Sequence, residues 1–217
     1  MVSPLPRGTL IDGDYRIDEV IGRDASSITY AAEDIHLGLA VAIKEHVPVG
    51  ARRDDDGALK PADRVGAPPG RDHFLREAKV LVRCQHLGVA RVLRVLETNA
   101  TAYIVLDVDG GQPLATWRQR LGRAPTQAEI DRIVAPVMRV LTALHANDVI
   151  HRDIRPETIL VRDDGSALIS GFGAALLKGS DRVDPADPAA LASQSAYAAP
   201  ELRTGLAADH GPWTDVY

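Results

Sequence analysis

Polar and apolar positions alternate from Thr9 to Val20 around the turn Asp12-Gly13-Asp14, which predicts a short strand entering a longer one. Gly38 to Glu45 forms a compact strand with Lys44 near its end. From Val47 to Arg71 no period is visible. That stretch is rich in Pro, Gly, Arg and Asp, and it reads as a long surface loop with room for partial order, whose central charge run, Arg52 to Asp56, is solvated. Between Asp72 and Arg83 the spacing becomes helical, with Phe74, Leu75, Ala78, Leu81 and Val82 on one face and Glu77 at its edge. Val89 to Leu96 and Ala102 to Val108 read as strands joined by Thr98-Asn99-Ala100-Thr101, and Gly110-Gly111 breaks the chain after them. Further on, Thr126-Gln127-Ala128-Glu129 has the form of a capping box opening a helix. Ile130, Ile133, Val134, Val137, Leu141 and Leu144 continue an apolar stripe to about His145, a helix-end residue, and Pro136 inside the stripe should kink or locally loosen it. Strands and one helix precede Gly110-Gly111 and a longer helix follows, an α+β pattern.

Composition narrows the function classes. At 217 residues the chain can bury a substantial core. A net charge of -5 gives no electrostatic reason to expect nucleic acid or an anionic membrane as partner. Cys84 is the only cysteine, so an intrachain disulfide and a cysteine-built metal site are both excluded, and it reads as a small apolar residue in a helix. No apolar run approaches the roughly 18–20 residues of a membrane-spanning helix, and the N-terminus has no basic-then-apolar signal pattern. A cytoplasmic, reducing location is the expectation.

The chemistry concentrates in His151-Arg152-Asp153-Ile154-Arg155-Pro156-Glu157-Thr158 and in Gly171-Phe172-Gly173. The first segment resembles the catalytic loop of a protein kinase, H-R-D-x-K-P-x-N, and the second stands at that family's usual interval for its metal-binding triplet, D-F-G. Ala40-Val41-Ala42-Ile43-Lys44 resembles the V-A-I-K strand, Tyr197-Ala198-Ala199-Pro200-Glu201 the A-P-E segment, and Asp215-Val216-Tyr217 the D-x-Y that opens the next helix. These occur in family order, and the resemblance runs from about Tyr15 to Tyr217.

The resemblance implies a two-lobed kinase fold of the bacterial Ser/Thr type. Its N-lobe, 1–109, is an antiparallel sheet plus one helix with an insertion at about 47–71. Its C-lobe, 110–217, is mainly helical and incomplete, because the family continues into a central apolar helix. A shortened chain, a partner that supplies the remainder and a marginal fragment are all compatible with that ending. By the same resemblance Ile21, Gly22, Thr29, Ala42, Lys44, Glu77, Leu106, Asp107, Val108 and Leu160 fall on nucleotide-binding positions. Lys44 would hold phosphates and pair with Glu77, Leu106 would be the gatekeeper, and Asp107 and Val108 would begin the hinge. Asp153 is the expected base, and Arg155 replaces the family's catalytic lysine. Arg152 would meet the activation loop, where Ser180, Ser193 and Ser195 could be phosphorylated and Asp181, Asp184 and Asp187 could supply standing charge.

The departures are chemically specific. Asp24 and Ser27 replace two glycines of the phosphate-covering hairpin, and Asp24 adds a carboxylate where a triphosphate would lie. Thr158 replaces the asparagine and Gly171 the aspartate that hold magnesium. Gln194 replaces a threonine that contacts the catalytic aspartate. If the lost metal coordination removes about 4 kcal/mol of transition-state stabilisation, transfer slows roughly a thousandfold. The expectation is a pseudokinase, a regulatory or binding module for a protein partner, with weak ATP binding at most and weak or absent Mg binding. The alternative is an active, unconventional Ser/Thr kinase that transfers the ATP γ-phosphate, with Asp163 or Asp164 substituting as metal ligand. A third reading is a scaffold that binds no nucleotide, its adenine slot filled by Leu106.

Overall fold

The computed structural model describes residues 2–24, 26–48, 50–54, 56–60, 70–84, 88–107, 111–178, 196–203 and 209–217. The chain divides into two compact units, Met1–Ala78 with Arg91–Val108, and Lys79–Ala90 with Asp109–Tyr217.

The first unit is built on an antiparallel sheet. Its strands are β1 (Leu10–Ile11), β2 (Tyr15–Arg23), β3 (Ser27–Asp34), β4 (Leu39–His46), β7 (Val92–Thr98) and β8 (Thr101–Asp107), in the order β1-β2-β3-β4-β8-β7. Alternation sorts β8 cleanly between two cores. Tyr103 and Val105 join Ile17, Tyr30, Ile43 and Leu96 on one face, while Ala102 and Ile104 pack with Phe74 and Ala78 of helix α1 (Arg71–Arg83) on the other. The sheet curls until its ends meet. Arg94 on edge strand β7 donates to Asp14 at 2.5 Å and to Asp12 at 3.2 Å in the β1–β2 turn. The expected hairpin between β7 and β8 turns on Asn99 and Ala100, with φ values of 53° and 57°. A two-residue connection of this kind needs positive φ at both centres to match strand twist.

Two expectations need correction. The stretch from Val47 is not a plain solvated loop: it contains the small hairpin β5 (Arg52–Arg53) and β6 (Leu59–Lys60), which buries Leu59. Its Arg53 side chain is also nearly enclosed, 5% exposed. The guanidinium donates to both oxygens of the fully buried Glu45, at 3.0 and 2.7 Å, and to the Ser3 and Gly57 carbonyls. Tyr30 and Tyr103 complete the cluster by donating to Glu45 at 2.7 and 3.0 Å, so the buried carboxylate is fully hydrogen-bonded. Burial, and after it the Glu45 charge, pushes both tyrosine hydroxyls well above their ordinary pKa. Two-residue strands are too short to print a period, which is why a charge run concealed them. Secondly, Val82 on α1 is exposed and Val80 is buried instead.

In the second unit, α2 (Leu114–Leu121) ends on Gly122 in the left-handed conformation, and α3 (Gln127–Ala146) starts on the expected capping box. The Glu129 amide donates to Thr126 Oγ1 at 3.3 Å, and the Thr126 amide donates to Glu129 Oε2 at 2.7 Å. Helix α3 runs without a break through Pro136 and buries Ile133, Val137, Val140, Leu141 and Leu144. The other rail of the expected stripe, Ile130 and Val134, is exposed together with Met138. Short strands follow: β10 (Val149–Ile150) pairs with β13 (Leu176–Leu177), and β11 (Ile159–Val161) lies between β12 (Ala167–Ile169) and β9 (Gln112–Pro113). The last helix is α4 (Pro212–Val216). Cys84 lies just past the end of α1 and is buried, which raises its thiol pKa.

Candidate active site

The nucleotide-binding positions of the first unit form rows across its sheet. Gly22 pairs with Thr29, Thr29 with Lys44, and Lys44 with Ile104; one row over, Ala42 pairs with Leu106. Because residues alternate along β4, Lys44 points to the face opposite Glu45. There its Nζ donates to Glu77 of α1 at 2.9 and 2.7 Å. Both partners are nearly buried, with side chains 13% and 7% exposed, so neither charge is left to solvent alone. Burial is the largest influence on Lys44 and opposes its charge. Glu77 and then Asp24 outweigh it and hold the ammonium above its ordinary pKa. Asp24 Oδ2 lies 4.0 Å from Lys44 Nζ. Ile21 is exposed, and Leu106 packs partly buried against the α1 cluster. Asp107 is tied to Arg91 at 2.9 Å. Val108 lies outside the described residues.

The second unit holds the catalytic loop on a carboxylate strut. Asp215 of α4 is buried and accepts the backbone N–H of His151 at 2.8 Å and of Arg152 at 2.7 Å, and it lies 2.8 Å from His145 Nε2. Arg152 takes a positive φ of 66°, a bend that this double acceptance fixes. Its buried guanidinium donates to the Ala174 carbonyl at 2.6 Å and lies 3.4 Å from His210 Nδ1. The His151 ring meets Phe172 edge-on at 4.6 Å and reaches the Ser170 carbonyl at 3.0 Å. Leu160 sits half-buried on β11 opposite Leu168 and Pro113. The D-x-Y resemblance was the only sequence signal for the strut; nothing in the sequence said that one carboxylate would hold two loop amides.

Asp153 is mostly buried, and desolvation raises its pKa against the pull of Arg155 and His151. Arg155 Nε stands 3.0 Å from Asp153 Oδ1, close enough for ion pairing though not aimed for a hydrogen bond. The arginine therefore turns back on the loop's own carboxylate.

Thr158 and Gly171 touch. Thr158 Oγ1 donates to the Asp153 carbonyl at 2.7 Å and accepts the Arg155 amide at 3.1 Å, closing the loop as a brace. The Thr158 carbonyl accepts both the amide and the hydroxyl of Ser170. Gly171 has φ 81°, and a Cβ built on it would stand 2.7 Å from Thr158 Cγ2. No such contact is tolerated between real atoms, so the threonine methyl fills the space from which an aspartate side chain would project.

Magnesium, which the family implies, does not fit this donor set. Thr158 Oγ1 is committed to backbone groups, Gly171 has no side chain, and no group of three His, Cys, Asp or Glu among the described residues could hold a metal ion. Asp163 and Asp164 do not stand in. They are exposed at the β11–β12 turn, at the opposite end of that hairpin from Thr158 and Ser170, and Asp164 Oδ1 accepts the Ser166 amide. Ser180, Asp181, Asp184, Asp187, Ser193, Gln194 and Ser195 lie outside the described residues.

The chain belongs to the protein kinase domain family, whose model matches residues 15–217. It is 28% identical over 215 residues to the serine/threonine-protein kinase PknA of Mycobacterium tuberculosis, covering 97% of this chain and 46% of that protein. It is 30% identical over 200 residues to CBL-interacting protein kinase 29 of Oryza sativa, covering 90% and 42%. A solved structure described as the apo form of PpkA-294 superposes with a TM-score of 0.82 at 27% identity, covering 99% of this chain and 75% of that one. The fold is thus kinase-like and of the bacterial Ser/Thr type, and the chain spans less than half the length of these two curated relatives. Members of the family use ATP with magnesium. Among the described residues no helix is long and apolar enough to cross a membrane.

Proposed function

We propose that this kinase domain is a pseudokinase, a module that binds and regulates a protein partner and makes weak use of Mg-ATP or none. The observation that carries the reading is the contact between Thr158 and Gly171: the methyl of one takes the side-chain space of the other. Phosphoryl transfer depends on positioning and on neutralising phosphate charge with divalent metal. Asp153 can orient an acceptor hydroxyl, but a carboxylate cannot replace a cation. Arg155, drawn to Asp153, is also held back from a transferring phosphate. The exposed row Ile130, Val134 and Met138 on α3 supports a protein partner, since apolar side chains in series favour being covered. The reading places the module in the cytoplasm, with Cys84 a buried free thiol.

A second reading, an active but unconventional kinase, is favoured by the intact Lys44–Glu77 pair and by Asp153. One assay separates the two. With labelled ATP, magnesium or manganese and a generic acceptor protein, the pseudokinase gives no transfer above that of Asp153→Asn. Robust transfer abolished by Asp153→Asn establishes the enzyme instead.

A further inference from the structure

Lys44 has a second carboxylate beside it, and the local structure is built to keep it there. The Asp24 backbone N–H donates to the Ser27 carbonyl at 3.0 Å, closing the β2–β3 connection. Asp24 Oδ1 accepts the Ser26 amide at 3.1 Å, and Oδ2 accepts the Ser27 hydroxyl at 2.7 Å. Ser27 is 3% exposed, so its hydroxyl needs an internal acceptor, and Asp24 supplies it. The same Oδ2 lies 4.0 Å from Lys44 Nζ, whose other side is taken by both oxygens of Glu77. The ammonium therefore sits between two carboxylates, and the local charge is already negative before any ligand arrives.

We propose that Asp24 is a tethered anion that takes a phosphate's place at Lys44, so that this position selects against polyphosphates and favours an uncharged nucleoside over ATP. A ligand phosphate that approaches Lys44 must either displace Asp24, breaking its contacts to Ser26 and Ser27, or share one ammonium with two carboxylates. Both are unfavourable: the first costs the Asp24 contacts outright, and the repulsion in the second grows with each added phosphate charge. An adenosine brings no charge and meets neither obstacle. The proposal rests on the nucleotide role of Lys44 but not on the metal positions, which belong to the other compact unit.

The test is isothermal titration of ATP and of adenosine, without metal, into wild-type protein, Asp24→Asn and Asp24→Asn/Lys44→Met. Asparagine keeps an oxygen for the Ser26 amide and a polar partner for the Ser27 hydroxyl, so the turn survives while the charge is lost. Expected is at least about a tenfold gain in ATP affinity for Asp24→Asn, equivalent to about 1.4 kcal/mol. Adenosine affinity should be unchanged, and the gain should vanish in the double variant. ATP affinity that is unchanged or undetectable in Asp24→Asn, an equal rise for adenosine, or a gain that survives Lys44→Met would each overturn the proposal. Phosphotransfer by the same variants, assayed separately with magnesium or manganese, reports on the pseudokinase reading alone: tighter ATP with transfer overturns that reading and leaves this one standing.

Discussion

At the scale of single residues, the decisive fact is that two replacements are one feature. Thr158 and Gly171 lie in separate motifs, but they meet, and neither can be reverted without the other noticing. Gly171→Asp alone places a Cβ 2.7 Å from Thr158 Cγ2 at a φ of 81°, which adds overpacking to backbone strain. It should lower stability by about 2 kcal/mol. Thr158→Ser removes only the methyl and keeps the hydroxyl that braces the loop. In that background the cost of Gly171→Asp should shrink, giving a coupling of about 1 kcal/mol in a double-mutant cycle read by urea denaturation. Additive costs would mean that the methyl is not what fills the site. The identities of the altered positions were legible in the sequence, because H-R-D and the triplet are fixed by local spacing. The contact between them was not, since it depends on how β11 and β12 bring Thr158 and Ser170 together. The same holds for Asp24: its charge was readable, but its hold on Ser27 and its distance from Lys44 were not.

At the scale of elements, what could be read was what repeats or caps. Helix α3 was visible because Thr126 and Glu129 answer each other across one turn, and the β7–β8 hairpin because two apolar runs flank Thr98-Asn99-Ala100-Thr101. The hairpin β5–β6 was hidden because its strands are two residues each and only Leu59 among them is apolar, the other enclosed side chain being the arginine Arg53. Arg53 is nevertheless central to the first unit. It ties the N-terminal Ser3 and the β5–β6 turn to Glu45, on the strand that carries Lys44. Arg53→Met keeps the bulk but leaves Glu45 buried without a countercharge. It should cost about 3 kcal/mol, read as a shift in the denaturation midpoint. A midpoint that does not move would mean that Tyr30 and Tyr103 suffice for the carboxylate. The opposite holds at Val82, Ile130 and Val134, where apolar residues on an expected buried face are exposed. A stripe shows which positions could be covered, and only the neighbouring elements decide how wide a band is.

At the scale of the whole molecule, membership of the protein kinase family fixes the architecture, and the site residues carry the function. Each compact unit keeps part of the family's equipment: Lys44 with Glu77 in one, and the Asp215-braced catalytic loop with Asp153 in the other. Each also carries an internal substitute where a ligand would be held, Asp24 beside Lys44 and the Thr158 methyl against Gly171. The central proposal is that this domain has little or no grip on magnesium, and the most direct test is the effect of magnesium on ATP binding. ATP should be titrated calorimetrically into Asp24→Asn, where the carboxylate that opposes the triphosphate is neutral, with and without saturating Mg²⁺. The account predicts that the metal leaves ATP affinity unchanged or weakens it. A tenfold or greater strengthening by Mg²⁺, about 1.4 kcal/mol of metal-dependent binding, would contradict it.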